Sequence, residues 1–171
     1  MASRTAALRR AALAVFRAAL KAADPVEAVL RHLSVRNDIL IAGGMRYRLR
    51  SFDRILVIGA GKASARMAYA LERLLGRRIS GGLVNVKYEH TAKLKRVELN
   101  ECGHPIPDEA GVRGAARIAA LAQEAGERDL VIAVISGGAS ALLPLPAAPI
   151  TASPCGSIAR SRPRRSALPA A

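Results

Sequence analysis

The sequence predicts an α/β fold in which a Rossmann-like parallel sheet is flanked by helices. Two short apolar runs, 54–59 and 129–135, lead into glycine turns and are typical of strands buried on both faces. Segments with helical periodicity lie between such runs, and this alternation indicates a parallel sheet with right-handed crossovers. We expect the sheet to be incomplete, with a partial α/β domain over 1–150 and a disordered or out-of-frame tail over 151–171.

The first fifty residues predict two helices and a hairpin. Residues 4–22 carry apolar side chains at helical spacing, with most of the basic residues between them, which predicts an amphipathic helix. Asp24 and Pro25 suit the cap and the first position of a second helix, which should end near His32. Residues 39–49 surround a Gly-Gly pair and predict a short β-hairpin.

The rest of the sheet is predicted from strands and helices that follow one another. The run 54–59 is the first strand, and the helix after it covers 62–75 and ends near Gly76. The sequence then predicts a strand at 82–86, a strand at 97–101, a helix from 107 to about 125 and a strand at 129–135.

The composition changes near Pro144. Residues 151–171 contain no acidic residue, and Pro144 and Pro146 cut short the helix that should follow Ser140. A doubly wound sheet does not usually stop directly after a strongly apolar strand. We therefore favour a truncated or out-of-frame ending over an ordinary disordered tail.

Charge and cysteine content argue against several classes of protein. The chain has 27 Lys and Arg against 13 Asp and Glu, a net charge of +14. The basic residues are scattered without interleaved aromatic residues, so we expect no nucleic-acid partner, whereas a positive field suits small anionic substrates. Cys102 and Cys155 have no CxxC spacing, which argues against disulfide and zinc sites. Without a recognisable signal peptide or membrane span, the protein is predicted to be cytoplasmic and to have no membrane partner.

The first glycine turn reads GAGKAS from Gly59 to Ser64. Its glycines let the backbone approach a ligand, and the helix that follows favours an anion at its N-terminus. Lys62 adds a positive charge and is the candidate catalytic residue, with Gly59 and Gly61 as candidate cofactor contacts. The turn is neither GxGxxG, because Ser64 replaces the third glycine, nor Walker A, because Ala63 replaces the hydroxyl residue. A tight turn with a solvated lysine is the structural alternative.

The second glycine turn, 136–140, reads SGGAS and follows the most apolar strand. Its N–H and O–H groups suit a phosphate or a carboxylate, and the candidate cofactor contacts are Ser136, Gly137, Gly138 and Ser140. The order of residues differs from the GxSxG nucleophile elbow. A glycine turn capped by Ser140 is the structural alternative.

The third feature is the loop GHPIPDE at 103–109, in which prolines fix the chain before a helix. His104 could donate to a bound anion, and Asp108 is the second candidate for substrate binding. A structural loop histidine and an ordinary helix cap at Asp108 are the alternatives.

Together, these three segments have the order and approximate spacing found in the glycerate 2-kinases, a family that the chain resembles over roughly residues 5–150. The family includes bacterial proteins called hydroxypyruvate reductases. The resemblance implies ATP-dependent, magnesium-requiring phosphorylation of D-glycerate to 2-phosphoglycerate in a cleft between two α/β domains. Lys62 matches the family's lysine, and the turn 136–140 matches its serine-glycine turn. Ala139 departs from the pattern, because a third glycine is usual there.

Members of this family are more than twice as long as this chain. Without the opposing wall of the cleft the reactants are not oriented, so we expect little or no kinase activity. The resemblance leaves open which turn binds ATP and which binds glycerate. An NAD(P)H-dependent hydroxypyruvate reductase is the enzymatic alternative, although Asn85 and Lys87 stand where an acidic residue would bind a ribose. A non-catalytic basic binding module and assembly as a homodimer also remain open.

Overall fold

The computed structural model describes residues 2–147, 150–152 and 158–160, and it describes side chains over 4–147. In chain order, the elements are α1 (Ala2–Ala22), α2 (Pro25–His32), β1 (Leu33–Arg36), β2 (Ile39–Ala42), β3 (Met45–Arg48), β4 (Arg54–Ala60), α3 (Ser64–Leu75), β5 (Gly81–Lys87), β6 (Glu98–Cys102), α4 (Glu109–Gln123), β7 (Asp129–Ile135), α5 (Ala139–Leu142), β8 (Ile150–Ala152) and β9 (Ile158–Arg160). Among the helices formed by these residues, none is both long and apolar enough to cross a membrane.

Both predicted N-terminal helices are present, but only the second packs into the core. Asp24 caps α2, because its Oδ1 accepts a hydrogen bond from the backbone N–H of Val26 at 2.8 Å. Val26 is buried, and α2 packs against α3. α1 instead leaves its apolar side chains exposed, with Val15 at 70% and Phe16 at 59%. The apolar stripe of α1 therefore adds little to the core of the described part.

A three-stranded antiparallel sheet extends the hairpin predicted over 39–49. β2 and β3 form that hairpin, and β1 pairs with the other side of β2, with Leu33 opposite Ala42. Asn37 and Asp38 make the turn between β1 and β2, and both have positive φ, at 48° and 67°. The sequence prediction missed β1 because the strand has only four residues and follows a helix directly, although its apolar and polar residues alternate.

The main sheet confirms the predicted α/β fold, in which helices flank a parallel sheet. Its four described strands are parallel, in the order β6–β5–β4–β7. Successive side chains of β5 face opposite sides of the sheet, so Val84 and Val86 pack in one cluster with Leu71 of α3, while Asn85 bonds to α4. Helices therefore flank both faces. Val57 on the central strand β4 has no exposed surface, as expected for a strand covered on both faces.

Some boundaries differ from the prediction in ways that affect the candidate site. α3 begins at Ser64, so Lys62 lies in the turn before the helix and not inside it. β7 is an edge strand among the described residues, and Ile135 on its uncovered face is 53% exposed. The helix after the second glycine turn is α5, a single turn that ends before Pro144. Smaller shifts place β5 at Gly81–Lys87, β6 at Glu98–Cys102 and the end of α4 at Gln123.

The predicted tail over 151–171 lies mainly outside the described residues. Its described pieces belong to β8 and β9, which pair antiparallel with Ile150 opposite Arg160. These two strands form a sheet separate from the other two.

Candidate functional site

The strand order places the two glycine turns side by side. From β4 the chain moves through β5 to β6 on one side, and it returns to the other side of β4 as β7. In open α/β sheets, ligands bind outside the carboxyl ends of the strands at the point where the order reverses. Ala60 at the end of β4 lies opposite Ile135 at the end of β7. Residues 59–64 and 136–140 lie at these two strand ends and form what we call the switch edge.

Close backbone packing accounts for both glycines of the first turn. Gly61 donates its N–H to the backbone carbonyl of Asn85 at 3.1 Å. It has a φ of 139°, and a Cβ atom there would overlap the Ser136 hydroxyl. A Cβ atom at Gly59 would overlap the backbone carbonyl of Val134. The two predicted cofactor contacts thus already have a structural reason, and their contact with a ligand stays a prediction.

Lys62 is the exposed cation of the switch edge. α3 begins two residues later at Ser64, so the lysine stands beside the positive end of the helix. Among the ion pairs formed by the described residues, none involves Lys62. An exposed ammonium beside a helix N-terminus is arranged to meet an anion.

Ser136 joins the two turns. Its hydroxyl accepts a hydrogen bond from the backbone N–H of Ala63 at 3.0 Å and lies 3.3 Å from the hydroxyl of Ser64. Its own N–H donates to the carbonyl of Ala60 at 3.1 Å. Ser64 is fully buried, so this contact is shielded from water. The side chain of Ser136 is therefore engaged by the protein, and its contact with a cofactor stays a prediction.

Three other residues of the second turn, Gly137, Gly138 and Ser140, are exposed. A Cβ atom at Gly137 would meet nothing within 4 Å. Gly138 has a φ of 87° and precedes α5 as its N-cap. Ser140 is exposed inside α5 and does not cap it, so the structural alternative proposed for this serine is wrong. The second turn can be approached by a ligand through its backbone.

The loop 103–109 brings His104 to the second turn. A Cβ atom at Gly138 would overlap the imidazole Nε2, so the ring lies directly against this glycine. The peptide bond between His104 and Pro105 is cis. All three sequence motifs therefore meet at the switch edge, and His104 adds a group that can donate a hydrogen bond to an anion.

Asp108 is occupied by structural contacts. Its Oδ1 accepts the N–H of Gly111 at 2.8 Å and caps α4, and its Oδ2 accepts the hydroxyl of Tyr88 at 2.8 Å. Burial alone raises the pKa of this carboxyl, but hydrogen bonds from Gly111, Gly103 and Tyr88 outweigh it and hold the pKa below its ordinary value. The same contact raises the pKa of the Tyr88 phenol. The cap is thus present, and substrate binding by Asp108 stays a prediction.

Asn85 supports the site from below, and the sequence prediction gave it no role of its own. It is fully buried, and its Nδ2 donates to the backbone carbonyls of Leu142 at 2.7 Å and Gly111 at 3.2 Å. Its Oδ1 accepts from Asn100 at 3.0 Å, while its backbone carbonyl accepts from Gly61. One residue thereby ties the first turn to α4 and α5. The signal was visible, since a single amide interrupts the apolar strand β5.

The described residues supply no ready-made metal cage. Within 2–147 and the two short described segments, no group of three or more His, Cys, Asp or Glu side chains could hold a metal ion. Asp108, one of two carboxylates in the loop 103–109, has both oxygens engaged. Lys62, His104 and the exposed backbone of the second turn are groups that can attract or donate to an anion.

Known proteins resemble the chain over most of its length. The model of a domain of unknown function, DUF4147, matches residues 11–161. A glycerate 2-kinase of Pyrococcus horikoshii is 39% identical over 81% of this chain and 31% of its own length. A proposed hydroxypyruvate reductase of Agrobacterium vitis is 38% identical over 80% of this chain and 28% of its own length.

A solved structure agrees with the sequence matches. The crystal structure of a glycerate kinase from Thermotoga maritima superposes with a TM-score of 0.68 and 29% identity, over 85% of this chain and 32% of that one. The chain thus spans about a third of the length of the relatives that it matches. It belongs to the DUF4147 family, and the resemblance to the glycerate 2-kinases is confirmed.

Proposed function

We propose that this chain takes part in the ATP-dependent phosphorylation of D-glycerate to 2-phosphoglycerate, and that residues 1–150 form a partial domain carrying one wall of the site. The observation that carries the proposal is the meeting of three motifs at the switch edge, where the Ser136 hydroxyl bonds to Ala63 and His104 lies against Gly138. The names of the relatives supply the substrate.

The proposed roles follow from the charges and donors at this edge. Phosphoryl transfer needs positioning and positive charge more than a protein nucleophile. Lys62 neutralises a phosphate or the glycerate carboxylate, beside the N-terminus of α3. The exposed backbone of Gly137 and Gly138 receives the other anionic group, and His104 donates to it. The two turns leave the choice between ATP and glycerate open.

Magnesium enters the proposal only with the nucleotide. It usually binds through one or two carboxylates together with substrate phosphates, and it supplies charge that balances the phosphate oxygens. The described residues do not build a cage for it. The roles of Lys62, His104 and the two turns therefore do not depend on a resident ion.

We expect this chain to bind ATP or glycerate more readily than it catalyses phosphoryl transfer between them. Lys62, Gly137, Gly138 and Ser140 are all exposed, and the described part brings no element over them. An open edge can hold an anion, but it neither excludes water nor aligns two reactants, and alignment accounts for a large part of such a rate. We propose measurable binding of ATP or glycerate with weak turnover.

The test measures both quantities on the full chain. Calorimetry with ATP and with D-glycerate compares the wild type with Lys62→Gln, and Arg46→Gln serves as an exposed control with the same charge loss. Loss of a charge-assisted contact should weaken binding by about tenfold or more in Lys62→Gln, and the control should stay close to wild type. Equal weakening in both variants would exclude a site at Lys62. ADP release with D-glycerate measures turnover, and rapid turnover would contradict the one-wall proposal.

A hydroxypyruvate reductase is the second candidate, because one relative carries that proposed activity in its name. The end of β5 argues against it, since Asn85 is buried in structural bonds and Lys87 follows at the position where a carboxylate would bind the ribose. Oxidation of NADH with hydroxypyruvate as substrate tests this directly.

A strongly salt-dependent gel shift with DNA or RNA would instead support the basic binding module.

Location and assembly stay predictions of the sequence. We propose a cytoplasmic protein, which cell fractionation would test. We also propose that self-association, as a homodimer, uses the edge of β7, where an apolar strand has a neighbour on one side only among the described residues.

A further inference from the structure

A basic pocket lies at the edge of the sheet opposite the switch edge. It has a volume of about 500 Å³ and is lined by Glu72, Gly76, Arg77, Lys95 and Arg96. Gly76 and Arg77 precede β5, while Lys95 and Arg96 precede β6, so the pocket stands at the amino ends of these strands. The two edges are separated by the length of a strand, roughly 20 Å for seven residues. The pocket is therefore distinct from the site proposed for glycerate phosphorylation.

The floor of the pocket is a fixed loop. Glu72 on α3 accepts the N–H groups of three successive residues, at 2.8 Å from Lys95, 2.7 Å from Arg96 and 3.0 Å from Val97. Successive N–H groups that converge in this way form an anion-binding nest, and here the protein's own carboxylate fills it. The negative charge of Glu72 is thus directed into the backbone, and the loop that carries the two cations is held in place.

The cations above this floor are available to a ligand. Nη1 of Arg96 donates a hydrogen bond to the carbonyl of Ile79 at 3.2 Å. This bond orients the guanidinium and does not involve its other N–H groups. Arg77 and Lys95 are exposed, and neither takes part in an ion pair formed by the described residues. Three cations against one carboxylate leave the pocket with a net charge of +2.

We infer that this pocket binds a small polyanion with two or more phosphate groups. The volume falls in the range of small-molecule sites, and a planar guanidinium that is already oriented suits a phosphate. A single carboxylate ligand would meet fewer of the three cations. The inference concerns residues that the proposed kinase function does not use, so either can fail without the other.

Inorganic pyrophosphate is the probe, and calorimetry with the full chain measures its affinity. The variant Arg77→Gln/Lys95→Gln removes two exposed cations of the pocket and should weaken binding by about tenfold or more. The control Arg46→Gln/Arg113→Gln removes two exposed cations elsewhere and lowers the net charge equally, so its affinity should change by less than about threefold. Lys62→Gln should also retain pocket binding, which separates this site from the switch edge.

Amide chemical shifts locate the bound anion. In a titration followed by NMR, the amides of Gly76, Lys95, Arg96 and Val97 should shift with the same midpoint as the calorimetric binding curve. The inference is overturned if the wild type does not bind pyrophosphate, if the two double variants lose affinity equally, or if the amides of the pocket do not shift when pyrophosphate is added.

Discussion

At the scale of single residues, the switch edge depends on hydroxyl and amide groups that the protein uses for itself. Ser136 and Ser140 belong to the same five-residue turn, and the sequence made them equal candidates. In the structure, Ser136 holds Ala63 and lies beside the buried Ser64, whereas Ser140 is exposed. Two serines of one motif therefore have different tasks, and a pair of matched substitutions can separate them.

We predict that Ser136→Ala destabilises the chain by about 1–3 kcal/mol, because the partly buried N–H of Ala63 loses its acceptor. Ser140→Ala is the control, and it should lie within about 0.5 kcal/mol of wild type because the side chain is exposed. Urea unfolding followed by circular dichroism measures both values. Equal stability of the two variants would show that the bond to Ala63 contributes nothing to folding.

At the scale of elements, an ion pair fastens β7 to the central strand. Arg54 at the start of β4 pairs with Asp129 at the start of β7, with Nη2 and Oδ2 2.6 Å apart. Asp129 also accepts the N–H of Gly126 at 2.8 Å. Hydrogen bonds from Arg54 and Gly126 lower the pKa of Asp129 to about 2. Protonation of Asp129 should therefore weaken the attachment of β7 to β4.

The pH dependence of stability should reveal this contact. Because the folded pKa of Asp129 is depressed, its contribution is complete above the ordinary pKa of 3.8 and is lost as the pH falls towards 2. We predict that Asp129→Asn lowers the melting temperature by a few degrees at pH 7, with the difference from wild type shrinking between pH 4 and pH 2. Glu109→Gln is the control. It removes an exposed carboxylate whose Oε2 lies 3.7 Å from Nη1 of Arg113, and it should change the melting temperature little. A difference that stays constant with pH would contradict the assignment.

The sequence predicted the elements better than their partners. Apolar runs that lead into glycine turns were enough to predict β4 and β7 as strands, because such runs are typical of parallel sheets. The same signature suggested burial on both faces, which the structure shows for β4 but not for β7. The runs and turns could not show that β7 lies at an edge, since neighbours in a sheet are chosen by the whole fold. The same limit explains Asn85, whose partners Gly111 and Leu142 are 26 and 57 residues away in the chain. The three motifs were found, but the bonds between them were not.

At the scale of the whole molecule, an uncovered strand edge is combined with a high net charge. Leu130 to Ile135 contains no charged side chain, and Ala133 and Ile135 are exposed on one face of β7. An apolar edge favours association with another strand, while a net charge of +14 opposes association between copies. Salt shifts the balance because it screens the repulsion between charges.

We predict that self-association of the chain increases with salt concentration and depends on β7. Sedimentation velocity at low and high NaCl should show a shift towards dimer for the wild type. Ala133→Lys places a charge on the uncovered face and should remain monomeric at both salt concentrations. Met45→Lys changes an exposed apolar residue on β3 and should behave as the wild type. A monomeric wild type at high salt would remove β7 as an interface.

The buried thiol of Cys102 offers a way to observe the switch edge without any enzymatic activity. It has no exposed surface, packs with Ala60 and Leu142, and has its pKa raised to about 11, first by burial and then by the charge of Asp108. Because Cys102 is buried and the thiolate is the reactive form, a neutral alkylating reagent reacts with it only when β6 and α5 separate. In a variant with Cys155 replaced by serine, the rate at which Cys102 is alkylated measures how often the protein opens locally next to the two glycine turns. A ligand that stabilises those turns should therefore lower the alkylation rate of Cys102, even if no phosphate is transferred.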